Sequence, residues 1–125
     1  MNLCRLTILL ETDNVEETVT FYTDLLGFTC HSFFPAEGPR TWVDLRRDDI
    51  SIMFSARNAH STVKTPTMTG SLYFNTDDVD GAWERLNGKV VVEYPIENFD
   101  YRMREFAVRD CNGYLIQFGQ ELPQD

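Results

Sequence analysis

The chain has 125 residues, of which 42% are hydrophobic and 13% are aromatic, and its net charge is −9 at pH 7. These values predict a folded protein with an apolar core and exclude a disordered chain. The negative charge argues against nucleic-acid binding, because contacts to phosphate groups need clustered lysine and arginine side chains. The sequence shows neither a signal peptide nor an apolar stretch long enough to cross a bilayer, so we expect no membrane partner.

The three cysteines, Cys4, Cys30 and Cys111, lack the paired spacing of a zinc site. An odd number of widely separated cysteines is typical of reduced thiols in a reducing compartment. We therefore expect a cytoplasmic protein.

The first half of the chain predicts one strand, one helix and three further strands. Residues 6–11 have the composition of a strand, and Asp13 or Asn14 is expected to begin the helix that follows. Gly27 stands where that helix would end in a left-handed residue. The three further strands are expected at residues 28–34, 40–46 and 50–55.

The second half predicts the same order of elements. Residues 71–75 form a strand, Asp77 or Asp78 begins a helix that runs to Leu86, and Gly88 ends it. The three strands that follow are expected at residues 89–94, 103–109 and 114–118, with a tight turn at residues 110–113.

The two halves also share short motifs at one constant offset along the chain. Thr12-Asp13-x-Val15 recurs as Thr76-Asp77-x-Val79, and Ile52-x-Phe54 recurs as Ile116-x-Phe118. A fixed period indicates repeated supersecondary units. We therefore predict an α+β fold built from two β-α-β-β-β modules in a single domain, residues 1–125. Module one covers about residues 1–57, a linker about residues 58–69, and module two about residues 70–125.

Two segments resemble the vicinal oxygen chelate superfamily, which contains glyoxalase I, bleomycin-resistance proteins, fosfomycin-resistance enzymes and extradiol dioxygenases. Glu16–Phe28, EETVTFYTDLLGF, resembles the segment of its first helix, and Arg104–Phe118, REFAVRDCNGYLIQF, resembles its C-terminal hairpin, with Cys111 in place of the usual proline. The resemblance implies that the two modules pair into an open, cup-shaped curled sheet with the helices outside and the ligand inside. It also implies a bacterial-like protein that forms a homodimer.

The metal-ligand positions of the superfamily fall on residues that are poor metal ligands. Alignment through the two segments and the repeat places these positions at Thr7, Met53, Ser71 and Gln117. Hydroxyls and a thioether are weak ligands for the divalent ions concerned, and only Gln117 is suitable. The two histidines, His31 and His60, lie outside this pattern. We therefore expect no metal and no other cofactor.

The remaining candidates would contact a ligand directly. Trp42, Tyr73 and Tyr101 offer flat aromatic surfaces, as does Phe99. Arg40 and Arg104 recur at the offset of the repeat and could clamp an anion near the mouth of the cup, with Glu105 as a base or an ion-pair partner. The complete set of ligand-binding candidates is Thr7, Arg40, Trp42, Met53, Ser71, Tyr73, Tyr101, Arg104, Glu105 and Gln117.

The expected function is metal-independent binding of a small molecule, in the manner of the bleomycin-resistance branch, with an aromatic or cationic compound as the ligand. One alternative is a lyase, isomerase or dioxygenase-like enzyme that uses side chains such as Glu105 or a noncanonical metal site. Another is a structural or regulatory module that has lost ligand binding. The sequence identifies no catalytic residue and leaves open whether the protein is an enzyme.

Overall fold

The computed structural model describes residues 1–57 and 60–124. The chain divides into two compact units, Met1–Pro66 and Thr67–Asp125. Residues 58 and 59, which the sequence assigns to the start of the linker, lie outside the described residues. No helix in the described part of the chain has the length and apolar character needed to span a membrane.

The first unit contains one four-stranded mixed sheet and one helical segment. Its sheet has the order β1-β4-β3-β2, in which β1 runs parallel to β4 and the other neighbours are antiparallel. The elements are β1 (Ile8–Thr12), α1 (Val15–Thr20), a π-helical turn (Phe21–Leu25), β2 (Thr29–Phe34), β3 (Trp42–Arg47) and β4 (Ile50–Ala56).

Helix α1 begins at the second of its two candidate caps. The backbone N–H of Glu17 donates to Asn14 Oδ1 at 3.0 Å, which satisfies one of the free donors of the first turn. The segment ends at Gly27, whose φ of 71° lies in the left-handed region. Between these ends, Tyr22 is fully buried, and its ring centroid lies 5.1 Å from that of Phe54 on β4. The helix is therefore held on its sheet by an aromatic core.

The second unit repeats the architecture. Its sheet has the order β5-β8-β7-β6, again with one parallel pair, β5 and β8. The elements are β5 (Leu72–Asn75), α2 (Val79–Leu86), β6 (Val91–Asn98), β7 (Met103–Arg109) and β8 (Leu115–Glu121). Asp78 caps α2 by accepting from the N–H of Gly81 at 3.0 Å. The predicted α+β class and the two β-α-β-β-β modules are confirmed.

Strand β6 is longer than the sequence predicts, because Pro95 does not end it. β6 is the edge strand of its sheet, and its pairing with β7 shifts register between Tyr94 and Glu97. A proline is tolerated at such a position because its missing N–H removes no central ladder bond. The strand continues to Asn98 and forms a hairpin with β7.

Each sheet has one face against the helix of its own unit and one face pointing away from it, here called the far face. In the second unit, Trp83 of α2 packs on Phe106 at 5.1 Å, and Phe106 stacks on Phe118 at 5.0 Å. Because side chains alternate along a strand, the neighbouring Glu105 and Gln117 project from the far face. That face carries the candidate site.

Candidate functional site

The far face of the second sheet carries a hydrogen-bonded group of polar side chains around one buried carboxylate. Glu105 of β7 is 1% exposed. Tyr73 Oη donates to its Oε1 at 3.0 Å, and Tyr94 Oη donates to its Oε2. Tyr101 also interacts with this carboxylate. We call this group the tyrosine–glutamate cluster; its members are Ser71, Tyr73, Tyr94, Tyr101, Glu105 and Gln117.

Gln117 of β8 connects the rest of the cluster. Its Nε2 donates to Tyr94 Oη at 2.7 Å and to Glu105 Oε2 at 3.2 Å. Its Oε1 accepts from Ser71 Oγ. The side-chain amide therefore has a partner on each end, and the network runs without interruption from Ser71 to the central carboxylate.

Gly119 of β8 makes the contact between Tyr73 and Glu105 possible. Tyr73 lies on β5 and Glu105 on β7, so the phenol has to cross the strand between them. Gly119 is the register partner of Glu105 on that strand. A Cβ atom at position 119 would lie 2.0 Å from Tyr73 Oη. Because Gly119 has no side chain, the phenol of Tyr73 can occupy this space.

The charge of Glu105 has no cationic partner among residues 1–57 and 60–124. Its neighbour Arg104 projects from the opposite face and pairs with Asp80 of α2 at 2.8 Å. Glu105 is therefore stabilised by hydroxyl and amide donors alone. Burying a charge with such donors but without an opposite charge leaves a local negative potential.

The tyrosines of the cluster remain protonated well above neutral pH. Burial, followed by the hydrogen bond to Glu105, raises the pKa of Tyr73. Burial also raises the pKa of Tyr94 to about 12, with Glu105 acting in the same direction and the hydrogen bond from Gln117 opposing it. Desolvation and the interaction with Glu105 raise the pKa of Tyr101 to about 12. All three phenols are therefore neutral hydrogen-bond donors at physiological pH.

Aromatic faces surround the carboxylate on the accessible side. The rings of Phe99 and Tyr101 are stacked with their centroids 5.4 Å apart, and Tyr94 meets Phe99 edge-on at 5.6 Å. Tyr73 is 37% exposed and Tyr101 is 60% exposed. A planar or cationic group can contact these rings without displacing a core residue.

Half of the sequence candidates meet in this cluster, namely Ser71, Tyr73, Tyr101, Glu105 and Gln117. Thr7, Trp42 and Met53 lie in the first unit, where each is partly buried. Each of the two arginines bonds to an acid on the helix of its own unit. Arg40 Nε donates to Glu16 at 2.8 Å, and Arg104 pairs with Asp80. The structure does not bring Arg104 to the same face as Glu105.

The sequence analysis missed two residues that shape the cluster. Tyr94 lies on the edge strand β6, and only its placement beside β7 brings it to Glu105. Gly119 matters because it has no side chain, and no sequence motif indicates this role. Its position two residues after Gln117, on the same face of β8, is the one available signal.

The donor set does not fit the divalent metal that the fold resemblance implies. The Oε1 atom of Gln117 is already bonded to Ser71, and the cluster contains a single carboxylate. Within the described ranges, no group of three or more His, Cys, Asp or Glu side chains could hold a metal ion. A catalytic divalent ion needs several imidazole, thiolate or carboxylate ligands in one place.

Comparisons with known proteins agree with this architecture. No curated protein sequence matches the chain significantly. The structure is similar to TioX from Micromonospora sp. ML1, with a TM-score of 0.77 and 20% identity, covering 95% of this chain and 99% of that chain. It is also similar to TnmS3, an antibiotic binding protein from Streptomyces sp. CB03234, with a TM-score of 0.77 and 22% identity, covering 97% and 98% of the two chains.

A third similar structure is a glyoxalase/bleomycin resistance protein/dioxygenase from Nocardioides, with a TM-score of 0.72 and 17% identity, covering 99% of this chain and 89% of that chain. At these identities the similarity shows a shared fold. The sequence profile of one family matches residues 6–118. The chain therefore belongs to the Glyoxalase/Bleomycin resistance protein/Dioxygenase superfamily.

Proposed function

We propose that the protein binds an aromatic or cationic small molecule at the tyrosine–glutamate cluster, without a metal ion and without converting it. The observation that carries the proposal is the combination of an internally satisfied polar network with exposed aromatic faces at Tyr73 and Tyr101. Aromatic surfaces with a few fixed polar groups are typical of small-molecule sites.

The comparison with TnmS3 supports a binding role. That protein is described as an antibiotic binding protein, and it shares the fold of this chain along nearly its whole length. Fold similarity alone does not transfer a function, because one fold hosts many activities. The fold is nevertheless compatible with holding an antibiotic, and the cluster supplies suitable surfaces here.

The chemistry of Glu105 favours binding over catalysis. A general base needs a free lone pair within reach of the substrate proton. Glu105 is 1% exposed and accepts hydrogen bonds from Tyr73, Tyr94 and Gln117. These donors occupy the oxygen lone pairs with which the carboxylate would have to accept a substrate proton. The lyase, isomerase and dioxygenase hypotheses therefore rank below binding.

The same network supports metal independence. Recruiting Gln117 Oε1 to a metal ion would break its bond to Ser71 and turn the amide away from Tyr94. We extend the proposal to a cytoplasmic homodimer, in keeping with the family resemblance and the cysteine content. Light scattering of the purified protein measures the dimer directly, and a monomer mass would remove that part of the proposal.

Thermal unfolding in the presence of EDTA tests the binding function. Bleomycin and a set of aromatic antibiotics serve as probes, and mass spectrometry follows each probe after incubation. We expect at least one probe to raise Tm, to remain chemically unchanged, and to lose its effect in the Tyr101→Ala variant. Phe33→Ala is the matched control, because it removes an exposed aromatic side chain from the first unit. Stabilisation that requires added zinc or iron, or a modified probe, would contradict the proposal.

A further inference from the structure

We infer that the ligand of the tyrosine–glutamate cluster carries a protonated or quaternary ammonium group. The inference rests on the proposed binding function and names the chemical class that the site selects. It depends on three features of the described residues: the unbalanced charge of Glu105, the direction of the phenol hydrogen bonds, and the absence of a free cation on the same face in that part of the chain.

The first feature is the charge that remains uncompensated at the centre of the cluster. Glu105 is buried beside hydroxyl and amide donors, which satisfy its oxygen atoms but add no positive charge. Glu97, its register partner on β6, adds a second negative charge nearby and helps to raise the pKa of Tyr101. An approaching cation lowers this potential, whereas an approaching anion increases it.

The second feature is the polarity of the tyrosine hydroxyls. The Tyr73 and Tyr94 hydroxyls direct their protons toward Glu105. Tyr94 Oη already accepts from Gln117, so the acceptor that remains for a ligand is Tyr73 Oη, and an ammonium N–H can donate to it. The ring faces of Tyr73 and Tyr101 add the negative side of their quadrupoles, which attracts cations in water-accessible sites. A quaternary ammonium would use the rings alone, and a protonated amine would use both.

The third feature concerns the positive charges nearest to the cluster. Arg104 lies on the opposite face and pairs with Asp80. Arg109 shares the far face but donates to Glu93 at 3.0 Å and to the carbonyl of Gly113 at 3.1 Å. Arg102, which follows Tyr101, donates to the carbonyl of Pro123. None of these three arginines is therefore directed at the cluster to receive an anion. The site recognises positive charge beside an aromatic or apolar body.

Two probes of the same shape separate charge from stacking. Para-hydroxyphenyl-trimethylammonium and para-tert-butylphenol differ in one atom, nitrogen against carbon, and therefore in charge. Each is titrated into the full chain while NMR follows the ring signals of Tyr73, Tyr94 and Tyr101. We expect the cation to bind about tenfold more tightly than the neutral probe, which is the range of one cation–π contact at a partly desolvated site.

Two variants locate the source of the preference. Glu105→Gln removes the central charge and keeps an acceptor oxygen. It should reduce affinity for the cation about threefold, because the ring contacts persist, while leaving the neutral probe unchanged. Glu84→Gln is the matched control, since it makes the same change in net charge at an exposed position of α2. The control should bind both probes as the wild type does. If Glu105→Gln fails to fold, the two probes still decide the question in the wild-type protein.

Each remaining outcome overturns a defined part of the argument. Equal affinity for the two probes at the tyrosine signals overturns the charge preference and leaves the proposed binding function in place. Equal loss of cation affinity in both glutamate variants overturns the role of Glu105, because net charge alone would then explain the preference. Unchanged tyrosine signals with both probes, up to the solubility limit of the neutral one, overturn the inference and the proposed site together.

Discussion

The two sheets share one strand order, yet they surround a buried acid with different partners. On the first sheet, Asp44 is 5% exposed and pairs with Arg46 at 2.8 Å, and Ser51 Oγ donates to it at 2.9 Å. On the second, Glu105 has donors but no cation among the described residues. The first acid has a cationic partner within its own sheet, whereas the second has only neutral donors in the described part of the chain.

The registers of the two sheets show how this difference arises. Asp44 pairs with Met53, and Ala107 pairs with the corresponding Gln117, so an alanine occupies the place of the first acid. Arg109 stands where Arg46 does in the first sheet, and it pairs with Glu93 instead. The same topology therefore accommodates a buried acid with a cationic partner in the first sheet and, among the described residues, a buried acid without one in the second.

The largest effects on stability should come from the two aromatic cores, which the two units have in common. Phe54 and Phe106 are both fully buried between helix and sheet. Phe54→Ala and Phe106→Ala should each lower the free energy of unfolding by about 3–5 kcal/mol, through lost burial and the cavity left behind. Urea denaturation measures both. A loss under about 1 kcal/mol in either variant would mean that the two cores are not equivalent.

The two acids should differ in their effect on stability. Asp44→Asn removes the charge that Arg46 faces and should lower the free energy of unfolding by about 1–2 kcal/mol, reduced from the cost at a fully buried site because Arg46 is partly exposed. Glu105→Gln loses one acceptor oxygen but also removes a buried charge that has no cationic partner, so the two effects should offset to a change of less than about 1 kcal/mol. Urea denaturation at neutral pH compares them. A larger loss for Glu105→Gln would reverse the comparison.

Alkaline titration should distinguish the second unit through its tyrosines. Tyr94 and Tyr101 keep their protons to about pH 12 in the folded protein, whereas unfolded tyrosines lose them near pH 10. Their contribution to stability is therefore complete below about pH 10 and is lost as the pH rises through about 12. In Glu105→Gln, both pKa values should fall part of the way toward 10, because burial persists. Tyrosinate absorbance follows the titration, and an unchanged curve would contradict the role of Glu105. Asp44→Asn is the control that leaves the cluster intact.

The smallest effect on stability should come from Gly119→Ala. The added methyl group occupies the position of the Tyr73 hydroxyl, and the half-exposed ring can turn aside. We expect a loss of less than about 1 kcal/mol in stability together with a clear displacement of the Tyr73 ring signals in NMR. Ser55→Ala, at the matching place of the first sheet, is the control. Unmoved Tyr73 signals would show that the phenol does not depend on the gap at Gly119.

Most of the fold was predictable because the repeat is visible in short sequence features, such as helix caps and core residues at a constant offset. The two helix caps, Asn14 and Asp78, are separated by the offset of the repeat, as are Phe54 and Phe118. Between these points the spacing drifts, since the glycines that end the helices, Gly27 and Gly88, lie closer together than that offset. The π-helical turn lengthens the first helical segment, and the strands that follow restore the register. Local caps show where such elements begin but not how many residues each contains.

The site was predictable only where residues lie on equivalent strands. Alignment with the superfamily and the offset of the repeat identified Ser71 and Gln117, which do meet at the cluster, and Tyr73 was expected only as an aromatic surface. The pairing of Arg104 with Glu105 as a shared site overlooked the alternation of side chains, which sends consecutive residues to opposite faces. Tyr94 required knowledge of which strand lies beside β7. Register and strand order are long-range properties, and a single sequence does not specify them.

The gap at Gly119 also bears on the speed of recognition. Because the Tyr73 phenol already rests on Glu105 in the free protein, its ring has lost rotational freedom before any ligand arrives. A ligand of the proposed kind would therefore meet a surface whose side chains need little further ordering, and its association should proceed near the rate of productive collision. Differences in affinity between compounds would then appear in their residence times. For the ligand proposed above, Gly119 would thus set how far the site is preorganised, through the side chain that it lacks.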